Sequence, residues 1–134
     1  VVTYDSIEKM ERFMRTVGAS FGNLTDEQWR HMTVHSSRQL EDGRYTLAYD
    51  PGIAENFKTL ALKDIDLWSL WDAIHCPTLV LRGEYSDVLD HPDAIAMTER
   101  GPQAKLVEFP GMGHAPALMA ADQIAVVRDW LLAD

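Results

Sequence analysis

Cys76-Pro-Thr-Leu-Val-Leu-Arg-Gly-Glu-Tyr-Ser-Asp-Val-Leu89 and, further on, Leu106-Val-Glu-Phe-Pro-Gly-Met-Gly-His-Ala-Pro116 are the stretches on which the fold of this chain turns. Each opens with a short run rich in apolar residues, Pro77 to Leu81 and Leu106 to Phe109, and each breaks at a turn signal, Gly83 or Pro110-Gly111. Proline is tolerated at the first position of a strand, where its missing N–H is not needed. Between the runs, Pro92 to Arg100 suits a helix followed by the turn Gly101-Pro102. Beyond them, Asp122 to Leu132 is amphipathic, with Ile124, Val127, Trp130 and Leu131 on related faces. Strand, helix, strand, helix at this spacing predicts a βαβ unit with a closing helix and a right-handed crossover.

Two parallel strands point the same way, so the loops that follow them open on one edge of the sheet. That carboxyl edge is where ligand and catalytic groups gather in open α/β folds. Asp87 lies a few residues past the first strand and His114 a few residues past the second. A carboxylate beside an imidazole can hold the ring's tautomer and stabilise the imidazolium formed on proton transfer. Glycines at 111 and 113 let the second loop turn sharply enough to present His114. Glu84, Asp90 and Asp93 compete with Asp87 for the acid role, and Glu84 is nearest the strand end.

Cys76 to Leu89, followed by Phe109 to Pro116, resembles the C-terminal signature of the α/β-hydrolases. The resemblance implies that Asp87, following Ser86, is the triad acid and His114 the general base. It covers residues 72–134. Trp29, Asp42-Gly43 and Tyr49-Asp50-Pro51 resemble, more loosely, the helical cap of bacterial members. A complete member begins with several strands, an oxyanion-hole loop and a nucleophile on a strand–elbow–helix, none of which is visible here. The fold hosts esterases, lactonases, C–C bond hydrolases, dehalogenases and haloperoxidases, and fold analogy does not choose among them.

Upstream of residue 72 the pattern is mostly helical. Ser6 can cap a helix carrying Ile7, Met10, Phe13, Met14, Val17 and Phe21 at helical spacing, loosened or ended by Gly18 and Gly22. Thr25 and Gln28 form a capping-box pattern that opens a second helix, expected to reach Leu40. Glu41-Asp42-Gly43 signals a turn, residues 44–49 a short extended piece, and Asp50-Pro51 a turn with a helix start near Ile53. Gly18-Ala-Ser-Phe-Gly22 matches G-x-S-x-G, and Ser20, Asp87 and His114 even follow the right chain order. An elbow needs a buried strand before the serine, however, and Lys9 to Thr16 is charged and helix-periodic. A serine at a helix end is therefore expected.

His31 and His35, four apart on a helix, could share a metal, but no third ligand or zincin glutamate accompanies them. Cys76, at a strand start, is expected to be buried and unreactive. Trp68, Trp71, Met112 and Met119 are expected to serve core packing rather than to line a pocket.

At 134 residues, 46% hydrophobic and 25% charged, the chain has a globular composition, and a single cysteine fits a cytoplasmic setting. No apolar run approaches the roughly 20 residues of a membrane helix, and no signal peptide is visible. A net charge of −9 without a basic stripe argues against nucleic acid as a partner.

The expectation is an α/β protein with a partial α/β-hydrolase fold. It comprises a helical cap segment over residues 1–70 and a βαβ unit with its closing helix over residues 71–134. Function follows as the acid- and histidine-bearing part of a hydrolase acting on a small-molecule ester, lactone or C–C bond, without metal or organic cofactor and inactive alone. The alternatives are a non-catalytic interaction module of hydrolase ancestry and a compact esterase using Ser20. An unpaired strand edge at 77–82 is expected to pair two copies into a homo-oligomer.

Overall fold

The computed structural model of the chain describes residues 2–55 and 66–133. Two compact units emerge, one of Val1–Ala19 and Thr25–Ile65, the other of Ser20–Leu24 and Asp66–Asp134.

In the first unit, helix α1 spans Ile7–Val17 and α2 spans Asp26–Ser36. Ser6 Oγ accepts from Lys9 N–H, and Thr25 with Gln28 closes a full capping box, so the two helix starts fall where the local chemistry puts them. Met10, Met14, Trp29 and Thr33 are buried where the helices meet. Arg15 and Arg30 both engage Glu11 there.

The second helix does not reach Leu40. It stops at Ser36 and the chain enters strand β1 (Ser37–Gln39), which pairs antiparallel with β2 (Tyr45–Leu47). Serine side chains compete for backbone hydrogen bonds and weaken a helix end. The hairpin turn then settles the outcome: Leu40 N–H bonds Arg44 O at 2.7 Å, Gly43 N–H bonds Leu40 O at 2.9 Å, and Gly43 adopts φ +84°. Asp50 caps a short 3-10 turn at Pro51–Ala54 by accepting from Gly52 N–H. The helix expected from Ile53 onward runs into residues 56–65, outside the described residues.

In the second unit a short helix α3 (Trp68–Asp72) precedes strand β3 (Leu79–Gly83), helix α4 (His91–Glu99), strand β4 (Lys105–Phe109) and helix α5 (Ala121–Leu131). β3 and β4 are parallel, in register from Leu79 opposite Lys105 to Gly83 opposite Phe109. The expected strand–helix–strand–helix order is therefore present, with β3 beginning two residues later than its apolar run suggested. Cys76 lies outside β3, in the connection before it, and is exposed rather than buried. Trp68 stacks against the Arg100 guanidinium at 4.6 Å, and Trp71 Nε1–H donates to Arg100 O.

This unit buries few large apolar side chains. Its buried residues include Ala94, Ala104, Phe109, Arg82 and Gln123. Leu79, Val80 and Leu81 are only half-buried, although strands of a parallel sheet are ordinarily covered on both faces. On α5, Ile124 and Leu131 are 50% and 73% exposed and line an open apolar groove of about 420 Å³ together with Leu118, Val127 and Leu132. Among the described residues no helix is long and apolar enough to cross a membrane.

Candidate functional site

The loops after β3 and β4 are stitched together by main-chain bonds beyond the sheet. Glu84 N–H donates to Phe109 O and Tyr85 N–H to Met112 O, each at 2.9 Å. The Glu84 carboxylate accepts from Gly111 N–H at 2.8 Å, where Gly111 takes φ +72°. From the other side, Gly113 N–H donates to Ser20 O at 2.7 Å. Gly83 and Gly113 lie at close backbone approaches: a Cβ on Gly83 would sit 2.1 Å from Gly113 O, and one on Gly113 2.8 Å from Ser20 Cβ.

These contacts set the segment after Tyr85 beside His114. Ser86 Oγ stands 3.5 Å from His114 Nδ1. The same hydroxyl accepts from Leu89 N–H at 3.1 Å and Val88 N–H at 3.4 Å, folding the acid loop into a tight serine turn. His114 and Asp87 are exposed, and among the described residues no hydrogen bond joins them. Both follow strands of the same parallel pair, yet among the described residues the side chain within hydrogen-bond reach of the ring nitrogen is the serine that precedes the aspartate.

The difference matters chemically. A serine hydroxyl that donates to Nδ1 leaves the ring proton on Nε2. A carboxylate has no proton to give, so it draws the N–H to Nδ1 and frees Nε2 to act as a base. Asp87 can supply that carboxylate only by turning toward the ring from its exposed position.

The other carboxylates weighed for the acid role have structural duties. Glu84 holds Gly111 as described, and Asp90 caps α4 by accepting from Asp93 N–H. Asp93 lies in the first turn of that helix, where negative charge suits the helix dipole.

Ser20 lies on a 3-10 turn, Ala19–Phe21, directly after α1, without the preceding strand of an elbow. It nevertheless borders the site: its Oγ donates to His114 O at 3.4 Å, with the main chain of the histidine rather than its ring as partner. His31 and His35 are exposed with ring centroids 4.3 Å apart, and among the described residues no group of three or more metal-ligating side chains forms.

Sequence reasoning passed over Arg82 and Ser86. Arg82 is buried at 5% exposure and bonds three carbonyls of the acid loop and the Glu108 carboxylate. Its signal was a charged residue between the end of an apolar run, Leu81, and the turn glycine Gly83, a place that demands partners once the strand extends over it. Ser86 carried no signal beyond adjacency to Asp87.

Glu108 also accepts from His91 Nδ1 at 3.2 Å; that bond first, and the Arg82 guanidinium second, hold its carboxyl below the usual glutamate range. A depressed folded value stabilises the fold above the unfolded pKa, and that contribution is lost as pH falls through the folded value. We therefore expect the stability difference between the natural chain and Glu108→Gln to persist at mildly acid pH. It should vanish only below the ordinary glutamate range. Urea midpoints across a pH series check this, and a difference already gone above that range contradicts it.

No protein-family model matches the chain. A 3-hydroxybutyrate-oligomer hydrolase from Cupriavidus necator is 35% identical over 137 aligned positions, covering 96% of this chain and 47% of the relative. Two crystal structures superpose on 97% of it. A protein of Rickettsia typhi described as a hydrolase matches with TM-score 0.86 and 29% identity over 44% of its length. An α/β-hydrolase of Novosphingobium aromaticivorans matches with TM-score 0.82 and 31% identity over 47% of its length. The chain thus spans about half the length of the proteins it matches. Taken with the parallel pair and its stitched loops, these likenesses make the chain a homologue of the α/β-hydrolases that adopts part of their fold.

Proposed function

We propose that this chain is the acid- and histidine-bearing C-terminal portion of a serine hydrolase that cleaves a small-molecule ester. The single observation that carries this is the stitched pair of loops, which sets Ser86, the residue before Asp87, beside the His114 imidazole at the carboxyl edge of a parallel sheet. His114 takes the nucleophile's proton and returns one to the leaving group, while Asp87 turns in to hold Nδ1–H. Residues 1–70 act as the cap. The relative from Cupriavidus necator supports an oxyester of a hydroxy acid over a lactone or C–C bond. The half-buried β3 and the open groove on α5 support a sheet that continues beyond the two strands described.

Substituting this chain for the matched part of that relative tests the proposal. The chimera should hydrolyse 3-hydroxybutyrate oligomers, whereas the chain alone should show no saturable turnover of p-nitrophenyl butyrate. A folded but inactive chimera overturns the assignment. The Ser20 alternative draws on that residue's place beside His114. Turnover by the isolated chain that disappears in Ser20→Ala would establish it.

Of the described residues, β4 pairs with one edge of β3, and the other edge carries unpaired N–H and C=O groups. Such an edge templates another strand, so the isolated chain should sediment as a dimer at micromolar concentration. A monomer under those conditions removes the homo-oligomer proposal.

A further inference from the structure

We propose that Arg82 is the positioning residue of the acid loop, fixing where Asp87 stands relative to His114. The inference rests on the hydrolase reading above. Arg82 is the fourth residue of β3, so its backbone is held by the sheet while its side chain is 5% exposed. Nε–H donates to Leu89 O at 2.8 Å and one Nη1–H to Glu84 O at 3.0 Å. Nη2–H donates to Ser86 O at 3.4 Å, and Nη1 meets Glu108 Oε2 at 2.5 Å. Four of the five guanidinium N–H groups are thereby used, three of them on carbonyls that bracket Asp87 at positions 84, 86 and 89.

A loop closed on a rigid, charged fork has little freedom to drift. Each carbonyl bonded to a guanidinium makes a stronger bond than with a neutral donor. Glu108, on the neighbouring strand β4, neutralises the charge that would otherwise be enclosed without a partner. Ser86 is thus held twice, by its carbonyl to Arg82 and by its amide to Gly83 O at 3.0 Å. Its hydroxyl meets His114 only because the main chain is pinned there.

Arg82→Lys keeps a positive charge opposite Glu108 but has no planar fork to span three carbonyls. Amide hydrogen exchange at Ser86, Val88 and Leu89 should quicken at least tenfold while the strand amides of β3 and β4 keep their natural rates. The His114 imidazole nitrogen shifts should move toward those of free histidine. Glu108→Gln, which removes the ion pair but not the carbonyl bonds, should leave both readouts near those of the natural chain. Equal loosening of loop and strands in Arg82→Lys, or no change in either readout, overturns the proposal. If the lysine variant does not fold, the natural chain decides: separate, slowly exchanging Nη resonances for Arg82 support an immobilised guanidinium, and one averaged resonance refutes it. Neither readout needs a substrate, so an inactive chimera would remove the hydrolase reading without touching this result.

Discussion

His114→Gln in the chimera should lower kcat by about 10²–10⁴-fold, the usual contribution of a positioned general base. Glutamine approximates the size of the imidazole but cannot take up and return a proton. Asp87→Asn should cost as much as about 10⁴-fold, because an amide can donate to Nδ1 and so favour the tautomer with its proton on Nε2. Ser86→Ala provides the contrast. Ser86 Oγ lies 3.5 Å from Nδ1 and serves mainly to fold the loop through Val88 and Leu89 N–H. Its loss should therefore be smaller than that of Asp87→Asn, with KM and kcat changing together. A Ser86→Ala defect exceeding that of Asp87→Asn would make the serine, not the aspartate, the functional partner of the histidine. Steady-state kinetics on the three variants separate these outcomes.

Gly83→Ala should be the most damaging single methyl that can be added to the second unit. The new Cβ would sit 2.1 Å from Gly113 O, 2.6 Å from Met112 O and 2.9 Å from the Gly113 carbonyl carbon. All three are main-chain atoms of the loop that presents His114, so no side chain can rotate away to make room. The loop must move by more than an ångström, and Met112 O is the acceptor for Tyr85 N–H. Relief of the clash therefore also breaks the bond between the two functional loops. The cost should reach the upper end of the roughly 1–3 kcal/mol typical of overpacking, or exceed it. Gly111→Ala makes a useful comparison, since nothing lies within 4 Å of its added Cβ and only its φ of +72° resists substitution. Urea unfolding of both variants checks the ranking, and a Gly83→Ala midpoint at or above that of Gly111→Ala contradicts it.

Local chemistry determined much of this chain in advance. Ser6 and the Thr25–Gln28 box act on the backbone within a few residues of themselves, so the starts of α1 and α2 were legible from adjacent letters. The two apolar runs and the helix between them likewise dictate a parallel pair, and parallel strands place their following loops on one edge whatever packs around them. Sequence alone therefore implies that the loops bearing Asp87 and His114 share an edge.

Only the tertiary structure decided the rest, because it depends on partners distant in sequence. Whether residues 37–39 prolong α2 or form a strand was settled by hydrogen bonds to Tyr45–Leu47 across a turn, not by propensity. The exposure of Cys76 followed from where β3 begins, and the bond from Gly113 to Ser20 spans most of the chain. Arg82 has no partner within its own strand; Leu89, Ser86, Glu84 and Glu108 close around it only in the fold. A buried charge takes its meaning from the groups enclosed with it, and those are assembled only when the chain folds.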